Sequence, residues 1–204
     1  VGADFGNTVL FGALCSARTL HLISPDRISD ADRFAAYMTD NKVGVLKIVP
    51  THLSGLLQAA NPVDVLPQQA LILGGDALPW ALVAQIQRLK PACRVINHYG
   101  PTETTVGVLS NELAAFHTAG DNAPIGRPLP NATALILNEH LEPVVQGDIG
   151  ELYIGGPGLA RGYHDRPSMT AAAFIPDPTG SGRRLYRSGD RARLLANGQI
   201  QFLG

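Results

Sequence analysis

Three short strand-like runs, 43–49, 70–73 and 94–97, recur along the first hundred residues with helix-like segments between them. That rhythm constrains the fold more than any other feature. Strands separated by helices pair in parallel through crossover connections, so this half reads as a layered, parallel βαβ sheet of the α/β class. The helical signals are local ones. Ser29 or Asp30 can cap a helix running to about residue 41, with Phe34, Tyr37 and Met38 on one face. Pro50 opens a second helix through residue 57, and 79–89 reads as a third. A further apolar run at 19–23 is expected to add a strand at the front.

The texture changes after about residue 105. Strand-like runs recur at 132–137, 149–154, 185–187 and 199–203, separated by Gly and Pro clusters, with one short helix expected at 169–174. The chain is therefore expected to comprise an α/β subdomain, 1–110, and a β-rich subdomain, 111–204, meeting in the polar stretch 105–123. It starts at Val1 in mid-pattern and stops at Gly204 directly after a strand-like run, as an internal piece of a larger protein would.

Composition narrows the function classes. Lys plus Arg is 16 and Asp plus Glu is 17, so no basic face points to nucleic acid. Cys15 and Cys93 form no CxxC pair, which argues against a zinc site or a disulfide framework and for a reducing compartment. No apolar run approaches the ~20 residues that span a bilayer, and no signal-peptide pattern is present. The expectation is a cytoplasmic protein.

In an open α/β sheet, ligands collect at the carboxyl ends of the strands. Three segments are expected at such ends: 71–76, ending in Gly74-Gly75-Asp76; 97–105, Asn-His-Tyr-Gly-Pro-Thr-Glu-Thr-Thr; and 187–190, Arg-Ser-Gly-Asp. In the second, Gly100 lets the backbone approach a ligand, and Thr102 with neighbouring amides suits phosphate oxygens. The Glu103 carboxylate suits Mg²⁺, and Tyr99 could stack on a base. The plainer alternative is a polar turn in which Thr102 caps a helix. Asp190 could accept both hydroxyls of a ribose or merely close an Asx-turn. The loop 179–184, Thr-Gly-Ser-Gly-Arg-Arg, has no framing strand and helix and reads as surface.

Taken in order, four segments carry a resemblance: 97–103; 124–130, Pro-Ile-Gly-Arg-Pro-Leu-Pro; 150–163, Gly-Glu-Leu-Tyr-Ile-Gly-Gly-Pro-Gly-Leu-Ala-Arg-Gly-Tyr; and 186–190, Tyr-Arg-Ser-Gly-Asp. They resemble successive core motifs of the adenylation domains of nonribosomal peptide synthetases, within the adenylate-forming superfamily. The resemblance implies an internal fragment of the large N-terminal part of such an enzyme. It lacks the upstream phosphate loop and the downstream subdomain with its catalytic Lys, so the fragment alone is expected to be inactive.

The implied reaction joins an amino-acid carboxylate to the α-phosphate of ATP, then passes the acyl group to a carrier-protein phosphopantetheine thiol. Implied partners are the amino-acid substrate, a peptidyl carrier protein and a condensation domain in the same polypeptide. Carried over by position, Asn97 and Tyr99 contact adenine beside the 74–76 backbone, Thr102 the α-phosphate, Glu103 the Mg²⁺ and Asp190 the ribose. Ser188 stands where the family usually has Thr, and Arg191 where it often has Leu.

The same resemblance places Asp4, Phe5, Thr8, Lys47, Ile72, Gly74, His98, Val106 and Gly107 around the amino-acid pocket. Asp4 is then the partner of the substrate's α-ammonium. Lys47 and His98 give the pocket two potential cations, which favours a side-chain carboxylate and resembles aspartate-activating members. The alternative for Lys47 is a side chain snorkelling to solvent. Asparagine is the nearest rival substrate and hydroxyaspartate another. A related acyl-CoA ligase, against which Asp4 argues, and an inactive truncated domain are the rival classes.

Overall fold

The computed structural model describes residues 4–114 and 120–204. Compactness divides the chain into two units, Val1–His98 with Glu112–Ala123, and Tyr99–Asn111 with Pro124–Gly204. This differs from the single cut expected at 110/111. After His98 the chain enters the second unit, and the segment from Glu112 returns to bury Leu113 and Ala123 in the first core. Residues 115–119 of the expected boundary stretch lie outside the described residues.

In the first unit a 3-10 turn, Asp4–Gly6, leads into helix α1, Asn7–Cys15. The run 19–23 is irregular rather than a strand. Among the described residues it pairs with no ladder; Ile23 packs on the core while Leu22 is 74% exposed. A one-turn helix α2, Pro25–Ile28, precedes α3, Ala31–Asp40. The Asp30 carboxylate caps α3 as expected, accepting from the amides of Asp32 and Arg33 at 3.1 and 3.0 Å. Asp30→Ala is expected to cost about 1 kcal/mol, read as a lowered thermal midpoint. Its ion pair with the exposed Arg33 adds little to that.

Strands β1, Val45–Ile48, β2, Ala70–Leu73, and β3, Arg94–Tyr99, pair in parallel in that order, joined through α4, Pro50–Leu56, and α5, Trp80–Leu89. Helices α3, α4 and α5 each turn one stripe inward: Phe34, Ala35 and Met38 from α3, Leu53 and Leu56 from α4, Leu82, Val83 and Ile86 from α5. Leu71 and Leu73 are fully buried in the central strand, as a parallel sheet requires.

The second unit begins with a 3-10 turn at Thr102–Thr104 and strand β4, Leu109–Leu113, whose first residues pair antiparallel with β5, Arg127–Pro128. Strands β6, Thr133–Leu137, and β7, Ile149–Gly155, are followed by α6, Pro167–Ala173. Then come β8, Phe174–Pro176, β9, Arg184–Leu194, and β10, Ile200–Phe202. They form an antiparallel sheet in the order β10-β9-β7-β6, with β8 on β9. Alternation splits its side chains between two cores. Ile136, Leu152, Ile154 and Ala192 enter one, and Leu137, Tyr153 and Leu185 the other. Among the described residues, no helix is long and apolar enough to cross a membrane.

Candidate functional site

Register places the first group of candidate residues. Lys47 lies beside Ile72, and Ile72 beside Ile96. Neighbours in register share a face, and residues two apart on one strand do too. Lys47, Ile72, Gly74 and His98 therefore line one face of the sheet toward its carboxyl ends. A Cβ on Gly74 would meet the His98 carbonyl oxygen at 2.2 Å and the Phe5 ring at 3.6 Å, so only glycine lets these three approach one another.

The Lys47 ammonium is held, not snorkelling. Its Nζ donates to Thr8 Oγ1 at 2.7 Å and lies 4.1 Å from the centroid of the Phe5 ring. Burial lowers its pKa to about 8, against the opposing pull of the Asp4 charge. Among the described residues its ammonium is in no ion pair.

His98 corrects an expectation. Burial, then the like charge of Lys47, lowers its pKa to about 4, so it is neutral near neutral pH. Of the two candidate cations, Lys47 alone is charged near neutral pH. Asn97 is 3% exposed and its amide donates to the Ala123 carbonyl at 3.2 Å, a task within the first core. Gly75, in a left-handed conformation, and Asp76 are exposed, and the Asp76 carboxylate accepts from the Ala77 amide at 2.8 Å.

In the second unit the Tyr99 hydroxyl donates to Asp190 Oδ2. Burial and that carboxylate push the Tyr99 phenol well above its ordinary range. Asp190 is not at a strand end. Glu151 pairs with Arg191 and Tyr153 with Arg187, so Leu152 alone faces residues 188–190, and β9 bulges there. Gly189 supplies the left-handed residue of the bulge, with φ 79°. Ser188 Oγ donates to the Leu152 carbonyl at 2.6 Å and accepts from the Asp190 amide at 3.1 Å, so it keeps the bond a hydroxyl is needed for.

Thr102 and Glu103 open the 3-10 turn, and the Glu103 carboxylate accepts from the Tyr163 hydroxyl at 2.6 Å. Beyond the turn, Thr105 and Val106 are both left-handed, with φ 66° and 68°. Such backbone costs a β-branched residue of order 1–3 kcal/mol and persists only where neighbours impose it. Here Thr105 Oγ1 donates to the Gly158 carbonyl at 2.6 Å, and the Gly107 amide to the Thr105 carbonyl at 3.0 Å. Val106 is 9% exposed. Gly107 also lines a cavity of about 230 Å³ with Thr104, Leu129, Asn131, Gly156 and Leu159, in which no side chain is charged.

Mg²⁺ is bound by one or two carboxylates together with substrate phosphates rather than by an all-protein cage. The donor set fits that mode. Among the described residues no group of three or more His, Cys, Asp or Glu could hold a metal, while Glu103 and the Thr102 hydroxyl offer hard oxygens on one turn. Sequence reasoning passed over Tyr163 and Tyr186 as individual residues, although both stand inside the segments singled out.

A family model described as AMP-binding enzyme matches residues 1–164. Gramicidin S synthase 1 of Brevibacillus brevis is 38% identical over 195 residues, which are 96% of this chain but only 17% of that protein. Tyrocidine synthase 1 of Brevibacillus parabrevis is 37% identical over 195 residues, again 96% of this chain and 17% of that protein. The chain thus spans less than a fifth of the length of either synthase. Among solved structures, the nonribosomal peptide synthetase FmoA3 in its α-methyl-L-serine-AMP bound form superposes with a TM-score of 0.90 at 31% identity, over 98% of this chain and 23% of that one.

Proposed function

The chain belongs to the AMP-binding enzyme family, in the adenylation type found in nonribosomal peptide synthetases, and from that premise we propose that the full-length protein activates L-aspartate as aspartyl-AMP. The observation that carries the choice of substrate is the Lys47 ammonium, half-buried on Thr8 and Phe5 and in no ion pair among the described residues. A site that has desolvated a cation favours a ligand that returns an anion to it. Asp4 takes the α-ammonium, and Ile72 and Gly74 line the face beside Lys47.

In the first step an oxygen of the α-carboxylate bonds to the α-phosphorus of ATP and pyrophosphate leaves. In the second a phosphopantetheine thiol of a carrier protein attacks the acyl carbon, losing its proton, and AMP leaves. The chain's part is positioning and electrostatics. Thr102 donates to the α-phosphate, Asp190 accepts from the ribose, and Tyr99 offers its ring to the adenine. Bound through Glu103, Mg²⁺ would neutralise phosphate charge.

Amino-acid-dependent ATP–pyrophosphate exchange by the full-length protein, across the proteinogenic amino acids, tests this reading. Aspartate is expected to support the fastest exchange; a preference for an uncharged side chain would sink it. The pH dependence supplies a second check. Aspartate needs Lys47 protonated, so its kcat/KM is expected to be level below the Lys47 pKa of about 8 and to fall about tenfold per pH unit above it. His98, neutral above about pH 4, adds no break near neutrality. Lys47→Met should erase the alkaline break, and a break that survives in that variant belongs to another group.

A further inference from the structure

Glu103 is fixed from one direction. Its carboxylate accepts from the Tyr163 hydroxyl at 2.6 Å, and its backbone carbonyl from the Ala160 amide at 2.8 Å. Tyr163 is itself held tightly. Its amide donates to Thr170 Oγ1 at 2.9 Å, and its ring packs edge-on against Phe174, with centroids 5.8 Å apart. Phe174 packs in turn on Tyr186, at 5.3 Å, and carries the Arg184 guanidinium on its other contact, at 5.4 Å. Arg184 also donates to the carbonyls of Ala160 and Arg161, at 3.2 and 3.1 Å, closing the loop that delivers Tyr163. Tyr186 is 8% exposed, and burial, then the nearby Glu103 charge, holds its phenol high.

One phenol thus bonds this acidic side chain, and a threonine, two further aromatic rings and an arginine hold that phenol's segment in place. A turn kept only for its shape would not need a phenol on its carboxylate. Phenol donors occupy part of the roughly four lone-pair sites of a carboxylate and leave the rest in a fixed direction. Outer hydrogen bonds of this kind orient carboxylates that ligate metals.

We propose that Tyr163, supported by the Tyr186 hydroxyl beside it, is a positioning residue that aims the Glu103 carboxylate at the cation accompanying ATP. The inference rests on the assignment of Glu103 as the Mg²⁺ ligand, and its test separates the two. Full-length wild type, Tyr163→Phe, Tyr186→Phe and Glu103→Gln would be loaded with a non-hydrolysable ATP analogue. Mn²⁺ binding would be followed by electron paramagnetic resonance, without amino acid or turnover, and the Mg²⁺ dependence of exchange measured in parallel.

Tyr163→Phe is expected to weaken Mn²⁺ binding by about tenfold or more and to raise the Mg²⁺ needed for half-maximal exchange by a similar factor. Tyr186→Phe should show a smaller loss in the same direction. Analogue affinity in metal-free buffer and the aspartate KM at saturating Mg²⁺ should not move, as they would if the tyrosines only stabilised the fold. Wild-type Mn²⁺ affinity in Tyr163→Phe, with weakened binding in Glu103→Gln, would overturn the positioning role alone. Wild-type affinity in Glu103→Gln would remove the metal assignment and this inference with it. Should Tyr163→Phe fail to fold, Tyr186→Phe decides, and unchanged Mn²⁺ affinity there counts against the inference.

Discussion

Lys47→Met is expected to lower aspartate-dependent exchange by two or more factors of ten while leaving ATP affinity nearly intact. A buried charge deprived of its partner costs about 3–5 kcal/mol. Lys47 is only half-buried, which puts the loss near the lower end, ~3 kcal/mol or about two factors of ten. Methionine has similar length and no charge, so the Phe5 face keeps a packing partner and the change isolates the cation. Asparagine and glutamate supply the comparison. Wild type should prefer aspartate over asparagine, because an amide leaves the ammonium unpaired. His98→Glu tests the same point from the other side. A carboxylate at position 98 would pair with Lys47, whose charge already acts on His98, and should turn the preference away from aspartate. If Lys47→Met uses aspartate as well as wild type does, the pairing with Lys47 is wrong and the pocket is read by other residues.

What the sequence disclosed follows from what its patterns record. Strand β2 was legible because a buried strand leaves an uninterrupted apolar run, β1 and β3 because Val45, Leu46 and Ile48, then Val95 and Ile96, keep shorter ones, and α3 because Asp30 announces its start. Strand β4 was not legible, since Ser110, Asn111 and Glu112 interrupt it. Asn111 is nevertheless buried, donating to the Pro124 carbonyl at 3.1 Å and accepting from Gln199 at 2.9 Å, partners no local pattern displays. The run 19–23 erred the other way, because apolar character does not supply a ladder partner. In β9, only 185–187 read as strand because Ser188, Gly189 and Asp190 look like a turn; they are a bulge inside an eleven-residue strand. The neutral state of His98 depends on burial and on Lys47, and the bond between Tyr163 and Glu103 joins residues 60 apart. Sequence motifs named the neighbourhoods; only the fold shows which side chain in each touches which.

Asp190→Ala is expected to lower kcat/KM for ATP by about two factors of ten, in the range seen when one preorganised electrostatic contact is removed. The bulge sets this side chain apart from the other β9 residues; the Tyr99 hydroxyl binds Oδ2, and among the described residues no donor binds Oδ1. On the proposed reading, a carboxylate so placed accepts from a ribose diol while remaining bonded to the Tyr99 hydroxyl. The effect should therefore be chemically specific. Wild type is expected to discriminate against 2′-deoxy-ATP, which lacks one hydroxyl of the diol. Asp190→Ala should lose most of that discrimination, because there is no longer a carboxylate for the hydroxyl to find. Tyr99→Phe should fall between the two, since it frees Asp190 to rotate without removing it. Global unfolding would not reproduce this ordering: it would depress exchange with both nucleotides equally and lower the thermal midpoint. The decisive measurement is exchange with ATP and 2′-deoxy-ATP for the three proteins. If Asp190→Ala still prefers ATP by the wild-type factor, Asp190 serves only the bulge, and the ribose is held elsewhere.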